Sequence, residues 1–236
     1  MSVLAVIPAR GGSKGIPRKN LREVAGKPLI VWTIEQALAA TPTMDVVVST
    51  DDAEIAEVAR AAGARVPFLR PAELAQDTTA TEPVVLHALA QARAEGSHPQ
   101  AVMLLQATSP VRLPGTLTRA LDEFAQRPVD ALVGVVPASP FLWSVGPDGS
   151  GRPSFDPLQR PRRQDLDPAL IPYRETGSVY LTHARIWDEV GNRLGGRIGL
   201  FVMDELEGVD IDTAADLAHA EQLLATLDLA KAPDRP

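Results

Sequence analysis

The chain has 236 residues, 23 Lys and Arg against 30 Asp and Glu, no cysteine, and 45% apolar side chains. That length suits one sizeable α/β core with a small appendage, and the acidic balance argues against a broad nucleic-acid surface. Without cysteine there is no disulfide framework and no thiolate metal site; with no leader pattern and no apolar run of about 18 residues, no membrane partner is expected and the chain is placed in the cytoplasm.

Residues 3–7 form a continuous apolar, β-branched run, the pattern of a parallel strand covered on both faces. A loop with Gly11, Gly12 and Gly15 follows. Residues 29–40 have apolar side chains at helical spacing, with Pro28 suited to the first turn. Residues 46–49 read as a second buried strand. Asp51 or Asp52 then caps a helix to about Ala62, with Glu54 three residues after Asp51 as in a capping box, and Gly63 ends it. Residues 65–69 read as a third, short strand, and 70–83 as a polar surface loop. Thr81 is the expected cap of a helix running to about Glu95. Residues 101–105 read as a strand, 114–126 as a helix and 131–136 as a strand.

Strand and helix thus alternate five times, which predicts an α/β fold with a parallel sheet wound on both sides. In such sheets a ligand sits outside the carboxyl ends of the strands. Residues 137–172 are rich in proline, contain the turn Gly146-Pro147-Asp148-Gly149, and read as an irregular insert with a hairpin, an arm suited to a second subunit. Residues 178–181 and 197–203 are further strands, 184–190 a short helix and 213–227 a last helix. Residues 231–236 read as a flexible tail, and the whole chain as a single domain.

The charge is uneven. Residues 1–22 carry Arg10, Lys14, Arg18, Lys19 and Arg22 and no acid, against 18 bases and 30 acids in the remainder. A positive, glycine-rich loop after a buried strand calls for a polyphosphate, because consecutive backbone N–H groups form an anion nest and Lys and Arg add charge. No Walker or G-x-G-x-x-G pattern occurs. Asp210 and Asp212 alternate along an extended segment and face one side, where Mg²⁺ uses one or two carboxylates plus phosphate oxygens; Asp212 as a plain helix cap is the competing reading. Asp51 reads as a helix cap, and His87 as a packed histidine. Residues 106–112, QATSPVR, put an amide, hydroxyls and the Arg112 guanidinium at a strand end, groups that read a base or a sugar.

Residues 7–20, IPARGGSKGIPRKN, resemble the signature loop of the acylneuraminate cytidylyltransferases, the CMP-sialic acid synthetases and their CMP-nonulosonate relatives. LRPAELA at 69–75 with Asp77 and Thr78 resembles that family's nucleotide-binding loop. QATSPVR resembles its Q-x-T-S-P-x-R, Arg163-Gln164 its R-Q, and Asp210-Ile211-Asp212 its metal-binding D-x-D. The resemblance covers roughly residues 3–225. It implies a Rossmann-like, mostly parallel sheet with helices on both faces and a small protruding dimerisation arm. It implies transfer of CMP from CTP to a 2-keto-3-deoxy sugar acid, with release of pyrophosphate, by a homodimer using Mg²⁺.

Carried onto this sequence, Ala9, Arg10, Gly11, Gly12, Ser13, Lys14, Lys19 and Asn20 would bind CTP, with Lys14 over the phosphates. Arg70, Asp77, Thr78 and Thr81 would hold the cytidine. Gln106, Arg163 and Tyr180 would touch the sugar, and Asp210 and Asp212 would hold Mg²⁺. Arg10, Lys14, Lys19 and Asp212 would act in the reaction. Two departures fall on the sugar side: Thr176 stands where many members have Asn, and Phe141-Leu142-Trp143 where some sialic acid enzymes place a lysine. The acceptor acid therefore stays open. So do two other classes, a nucleotidyltransferase acting on a sugar 1-phosphate and a non-catalytic nucleotide-binding paralogue.

Overall fold

The computed structural model describes residues 1–13, 15–160, 162, 165 and 171–229, the last two by backbone alone. In chain order the strands are β1 (Val3–Pro8), β2 (Glu23–Val24), β3 (Lys27–Pro28), β4 (Asp45–Ser49), β5 (Ala101–Leu104), β6 (Ala131–Pro137), β7 (Trp143–Val145), β8 (Gly151–Pro153), β9 (Tyr173–His183) and β10 (Ile198–Val202). The helices are α1 (Leu29–Leu38), α2 (Ala53–Ala61), α3 (Thr81–Ala94), α4 (Thr116–Gln126), α5 (Ala184–Val190) and α6 (Ala214–Leu229).

Six strands form one sheet in the order β10-β6-β9-β5-β1-β4. All run parallel except β9, which is antiparallel to both β5 and β6. The fold is Rossmann-like, with the predicted parallel halves joined by one reversed strand. The strand runs are apolar throughout because both faces are covered. On one face Ile30, Ile34, Ile55, Leu117, Leu121 and Phe124 of α1, α2 and α4 pack on the sheet. On the other lie Val85, Ala88 and Leu89 of α3 and Trp187 of α5. A third cluster joins α6, through Ala220 and Leu224, to Ile16, Val24, Trp32, Val111 and Ile211. Trp32 Nε1 donates to the Val24 carbonyl at 2.9 Å, fastening the small β2–β3 hairpin onto α1.

Several expectations change. Residues 65–69 do not form a strand element; they touch β4 through isolated bridges, Val47 to Arg65 and Thr50 to Leu69. Asp52, not Asp51, caps α2, accepting from the Glu54 and Ile55 N–H groups. Thr81 does not cap α3: it is the first helical residue, and the extended Ala80 precedes it without a side-chain cap. The hairpin expected in the insert is β7–β8, closed by a Gly149 N–H to Gly146 carbonyl bond of 2.9 Å. Lys14, Arg163, Gln164 and residues 231–236 lie outside the described residues.

Strand β9 is longer than its apolar run. Residues 173–177 are polar, yet they continue the ladder past an irregularity opposite Val133 and Val135. Thr176 makes that possible: its buried Oγ1 donates to the Gly134 carbonyl at 3.0 Å and accepts from the Ser178 N–H at 3.2 Å. The carboxyl ends of the parallel strands and the amino end of β9 consequently meet at one edge.

Candidate active site

At that edge lies a cleft of about 320 Å³. Of the expected CTP residues it is lined by Arg10, Gly12, Ser13, Lys19, Asn20, Arg70, Asp77 and Thr81, and Gln106 completes one wall. Leu74, Gln76, Thr79 and Ala80 of the 69–81 stretch and Ala107 and Thr108 of QATSPVR also line it, as does Val84, which no motif marked. Ala9 is buried below the loop. Ala9, Gly11 and Thr78 are not on the cleft wall.

The loop after β1 is held from several sides. The Gly11 N–H donates to Asp51 Oδ1 at 3.1 Å, so Asp51 orders the loop and is not a helix cap. Asn20 Nδ2 donates to the Arg10 carbonyl at 3.1 Å. Arg18, at φ 54°, pairs with Asp52 and Glu54 and ties the loop to α2. Gly15 passes so close to the Asp212 backbone that a Cβ there would come within 2.6 Å of the Asp212 carbonyl oxygen. The first loop and the D-x-D segment are thus packed backbone to backbone.

Two cations frame the cleft. Arg10 pairs with Asp77 at 2.7 Å. Arg70 is buried; its guanidinium donates to the Ser49 carbonyl at 2.6 Å and the Leu74 carbonyl at 3.4 Å, while Nε has no partner among the described residues. Burial lowers its pKa, with the Asp51 carboxylate opposing and the Arg10 cation adding to the shift. His87 is indeed packed, edge-on to Phe68 with ring centroids 4.5 Å apart, and burial together with Arg70 pushes its pKa down.

Lys19 and the aspartates come together. The Lys19 side chain is only 12% exposed; Nζ donates to the Ile211 carbonyl and stands 3.7 Å from Asp212 Oδ1. Ile211 is fully buried in the third cluster, so its neighbours Asp210 and Asp212 fall on the opposite side of the extended segment. Ser109 Oγ donates to the Thr176 carbonyl at 3.2 Å and to Asp210 Oδ1 at 3.3 Å. Asp212 is not the cap of α6: Thr213 Oγ1 accepts from the Asp216 N–H, and the Asp216 carboxylate accepts from the N–H groups of Asp212 and Thr213. Its carboxylate, 80% exposed, is left for other work.

Two expectations for this edge are corrected. Arg112 does not reach a ligand. It is 3% exposed, and Nη1 donates to Thr33 Oγ1 and Gln36 Oε1 at 3.1 and 2.9 Å while Nη2 donates to the carbonyls of Gln106 and Ser178 at 3.2 and 2.8 Å. Burial pushes its pKa down to about 9, opposed by the buried Glu207, so it stays charged at neutral pH. Tyr180 is likewise in the core, 3% exposed, with its hydroxyl donating to Glu175. Burial first, and the Glu175 bond second, push that phenol's pKa up. At this end β9 exposes Tyr173, Arg174 and Glu175.

Arg112 is a clamp between α1, the Gln106 segment and β9. Arg112→Met takes a donor from the Gln106 and Ser178 carbonyls, Thr33 and Gln36, and removes a buried cation whose field Glu207 feels. It should cost about 3 kcal/mol of stability, lowering Tm by roughly 6–12 °C for a chain of this size. Calorimetric scans read this directly, and an unchanged Tm would reject the clamp.

Gln106 is set by the same packing. Gly177 has φ 72°, and a Cβ there would lie 2.7 Å from Gln106 Oε1, so only glycine admits the amide. A second cavity of about 470 Å³ is lined by Val136, Pro137, Ser139, Arg174 and Glu205 among others, at the ends of β6 and β9. Arg174 Nη2 donates to the Gly208 carbonyl at 2.9 Å. Neither Arg174 nor the cavity was marked by a sequence motif.

Comparison with known proteins agrees with this geometry. A family model described as cytidylyltransferase matches residues 4–142, more than half of the chain. N-acylneuraminate cytidylyltransferase A of Danio rerio is 37% identical over 93% of this chain, which spans 50% of that protein's length. The CMP-N,N'-diacetyllegionaminic acid synthase of Legionella pneumophila is 37% identical over 95% of this chain and 97% of its own length. A pseudaminic acid cytidylyltransferase of Campylobacter jejuni is 34% identical, with 94% and 96% covered. Among solved structures, a CMP:2-keto-3-deoxy-manno-octonic acid synthetase complexed with CTP shares the fold, with TM-score 0.70 at 20% identity, covering 96% of this chain and 99% of that one. The chain belongs to the cytidylyltransferase family.

Proposed function

We propose that this chain transfers CMP from CTP to the anomeric hydroxyl of a sialic-acid-like 2-keto-3-deoxy sugar acid, releasing pyrophosphate. The observation that carries the reading is the convergence of the first loop, Arg70 and Lys19 on one cleft at the carboxyl ends of β1 and β5, with Asp212 of the Asp210–Asp212 pair 3.7 Å from Lys19. The names of the relatives point the same way.

The chemistry follows from the groups present. The acceptor oxygen bonds to the α-phosphorus, the bond to the bridging oxygen of pyrophosphate breaks, and an aspartate draws off the hydroxyl proton. Such transfers depend on positioning and on charge neutralisation. Arg10 and Lys19 meet the triphosphate. Arg70, with its unpartnered Nε, and the wall from Leu74 to Thr81 seat the nucleoside. Gln106 and the cavity at Arg174 take the acceptor, whose carboxylate suits a guanidinium. Lys14 and Arg163 keep their expected roles toward phosphate and sugar.

Asp210 and Asp212 would hold Mg²⁺. Two carboxylates on one side of an extended segment, one of them largely exposed beside the cleft, fit an ion that completes its shell with phosphate oxygens and water. When bound, Mg²⁺ supplies Lewis-acid stabilisation of the phosphate charge.

A homodimer fits the exposed apolar surface. The β7–β8 hairpin presents Leu142, Trp143 and Val145, and β10 presents Ile198, Leu200 and Val202, all exposed. Sedimentation velocity tests this; a species at the 25.2 kDa chain mass at micromolar concentration would overturn it.

Pyrophosphate release with CTP and Mg²⁺ against a panel of keto-deoxy sugar acids tests the whole reading. Release is expected with CTP and at least one acid. Silence with CTP, alongside release from UTP, GTP or dTTP with a sugar 1-phosphate, would mean another branch of nucleotidyltransferases.

A further inference from the structure

A chain of side chains runs from the first turn of α3, next to the nucleotide wall, to the amino end of β9. Glu82 lies in the first turn of α3, next to Thr81 of the cleft. Its Oε1 accepts from Arg193 Nε at 2.7 Å. The Arg193 guanidinium stands 4.9 Å from the centroid of the Tyr180 ring, and the Arg193 carbonyl accepts from Thr182 Oγ1 of β9. Tyr180 in turn donates its hydroxyl to Glu175 Oε1.

Three of these four groups are enclosed: Tyr180 is buried, and the side chains of Arg193 and Glu82 are less than a fifth exposed. Glu175 is the exposed end. It stands at the amino end of β9, two residues before the glycine that packs against Gln106 Oε1. Its Oε2 has no hydrogen-bond or ion-pair partner among the described residues, so one oxygen is anchored and the other presented.

That arrangement is costly to build for a surface residue with no task. An unheld glutamate keeps the rotamer freedom that burial would remove. Here a core phenol, itself propped by an arginine, holds one oxygen in place before any ligand arrives, which lowers the cost of binding. A fixed carboxylate selects for hydrogen-bond donors and repels a second carboxylate. It therefore demands a hydroxyl or amide N–H of the acceptor at this point, with the acid group turned elsewhere.

We propose that Glu175 is a specificity-determining residue for the acceptor, its free carboxylate oxygen accepting from a hydroxyl or amide N–H of the sugar acid, with Tyr180 and Arg193 as positioning residues. This rests on the CTP and sugar-acid reading of the cleft. It moves Tyr180 from direct contact with the sugar to the support of the residue that makes it.

Steady-state kinetics of pyrophosphate release test the proposal with wild type, Glu175→Gln and Tyr180→Phe, over the same panel of acids. In Glu175→Gln the amide oxygen keeps the Tyr180 hydrogen and the NH₂ faces the acceptor's donor. The KM for the preferred acid should rise about tenfold, the size of one lost hydrogen bond, and the rank order of acids should change. The KM for CTP should stay within twofold, which a general loss of structure would not allow. Tyr180→Phe should move the acid KM in the same direction by less. Unchanged acid KM and rank order in Glu175→Gln, with an active wild type, would overturn the proposal and leave the cleft reading standing. A wild type silent with CTP and every acid would overturn both.

Discussion

Lys19→Ala should lower turnover at least ~10²-fold, the usual cost of losing a preorganised group that stabilises developing charge. The side chain is poised before any ligand binds. It is 12% exposed, its Nζ is aimed by the Ile211 carbonyl, and Asp212 Oδ1 lies 3.7 Å away. A held ammonium at this spot lines the cleft and, in the proposed reaction, needs no reorganisation when charge shifts toward the leaving pyrophosphate. In water the same charge would be screened and mobile. Alanine removes it and leaves the neighbouring carbonyl and carboxylate unopposed. Lys19→Arg is an informative companion: it restores charge but replaces a compact ammonium by a planar fork, so partial recovery is expected. Initial rates of pyrophosphate release at saturating CTP measure both variants. An alanine variant within twofold of wild type would remove Lys19 from the reaction.

The first loop was legible because three cues coincide on few residues: an apolar run, clustered glycines, of which Gly11 and Gly15 leave no room for a Cβ, and bases without acids. Gly15 against the Asp212 backbone shows the physical basis of one such cue. The strand and helix periodicity likewise carried through, since both faces of the sheet are covered and the apolar runs have no polar gaps. What stayed hidden was decided by tertiary partners. Asp51 and Asp52 are adjacent carboxylates of equal capping propensity; only the approach of Gly11 separates their tasks. Arg112 sits in a motif full of ligand-type groups, yet four acceptors in the fold, two of them on α1, turn it inward. The polar start of β9 concealed a strand because its stability comes from Thr176 bonding across a bulge to Gly134, which no alternation reveals. Arg174 and Glu175 were missed for the same reason: their importance lies in which edge β9 reaches. Reversal of that strand puts them at the edge where the parallel strands end.

Asp212→Asn should abolish magnesium-dependent turnover, a loss of at least ~10³-fold, while leaving the fold intact. Two structural facts separate those outcomes. The carboxylate is 80% exposed and accepts no hydrogen bond from the cap of α6, which Thr213 and Asp216 make between themselves, so the amide costs the fold little. The buried Ile211 nevertheless pins the segment, and Asp212 shares one side of it with Asp210, which Ser109 holds at 3.3 Å. Replacing one of two anionic oxygen donors weakens a hard cation's site, and several kcal/mol of charge stabilisation then goes with the ion. Asn also removes the charge that faces Lys19 across 3.7 Å, an exposed pair whose own contribution to stability is small. Three readouts keep the role apart from a structural one. Tm should stay within about 2 °C of wild type, Mn²⁺ binding in the presence of CTP, followed by electron paramagnetic resonance, should weaken markedly, and pyrophosphate release should vanish. Weakened Mn²⁺ binding with full turnover would place the ion outside the reaction. Unchanged turnover together with unchanged Mn²⁺ binding would remove Asp212 from the metal site altogether and return the D-x-D to a structural feature of the loop that Gly15 packs against.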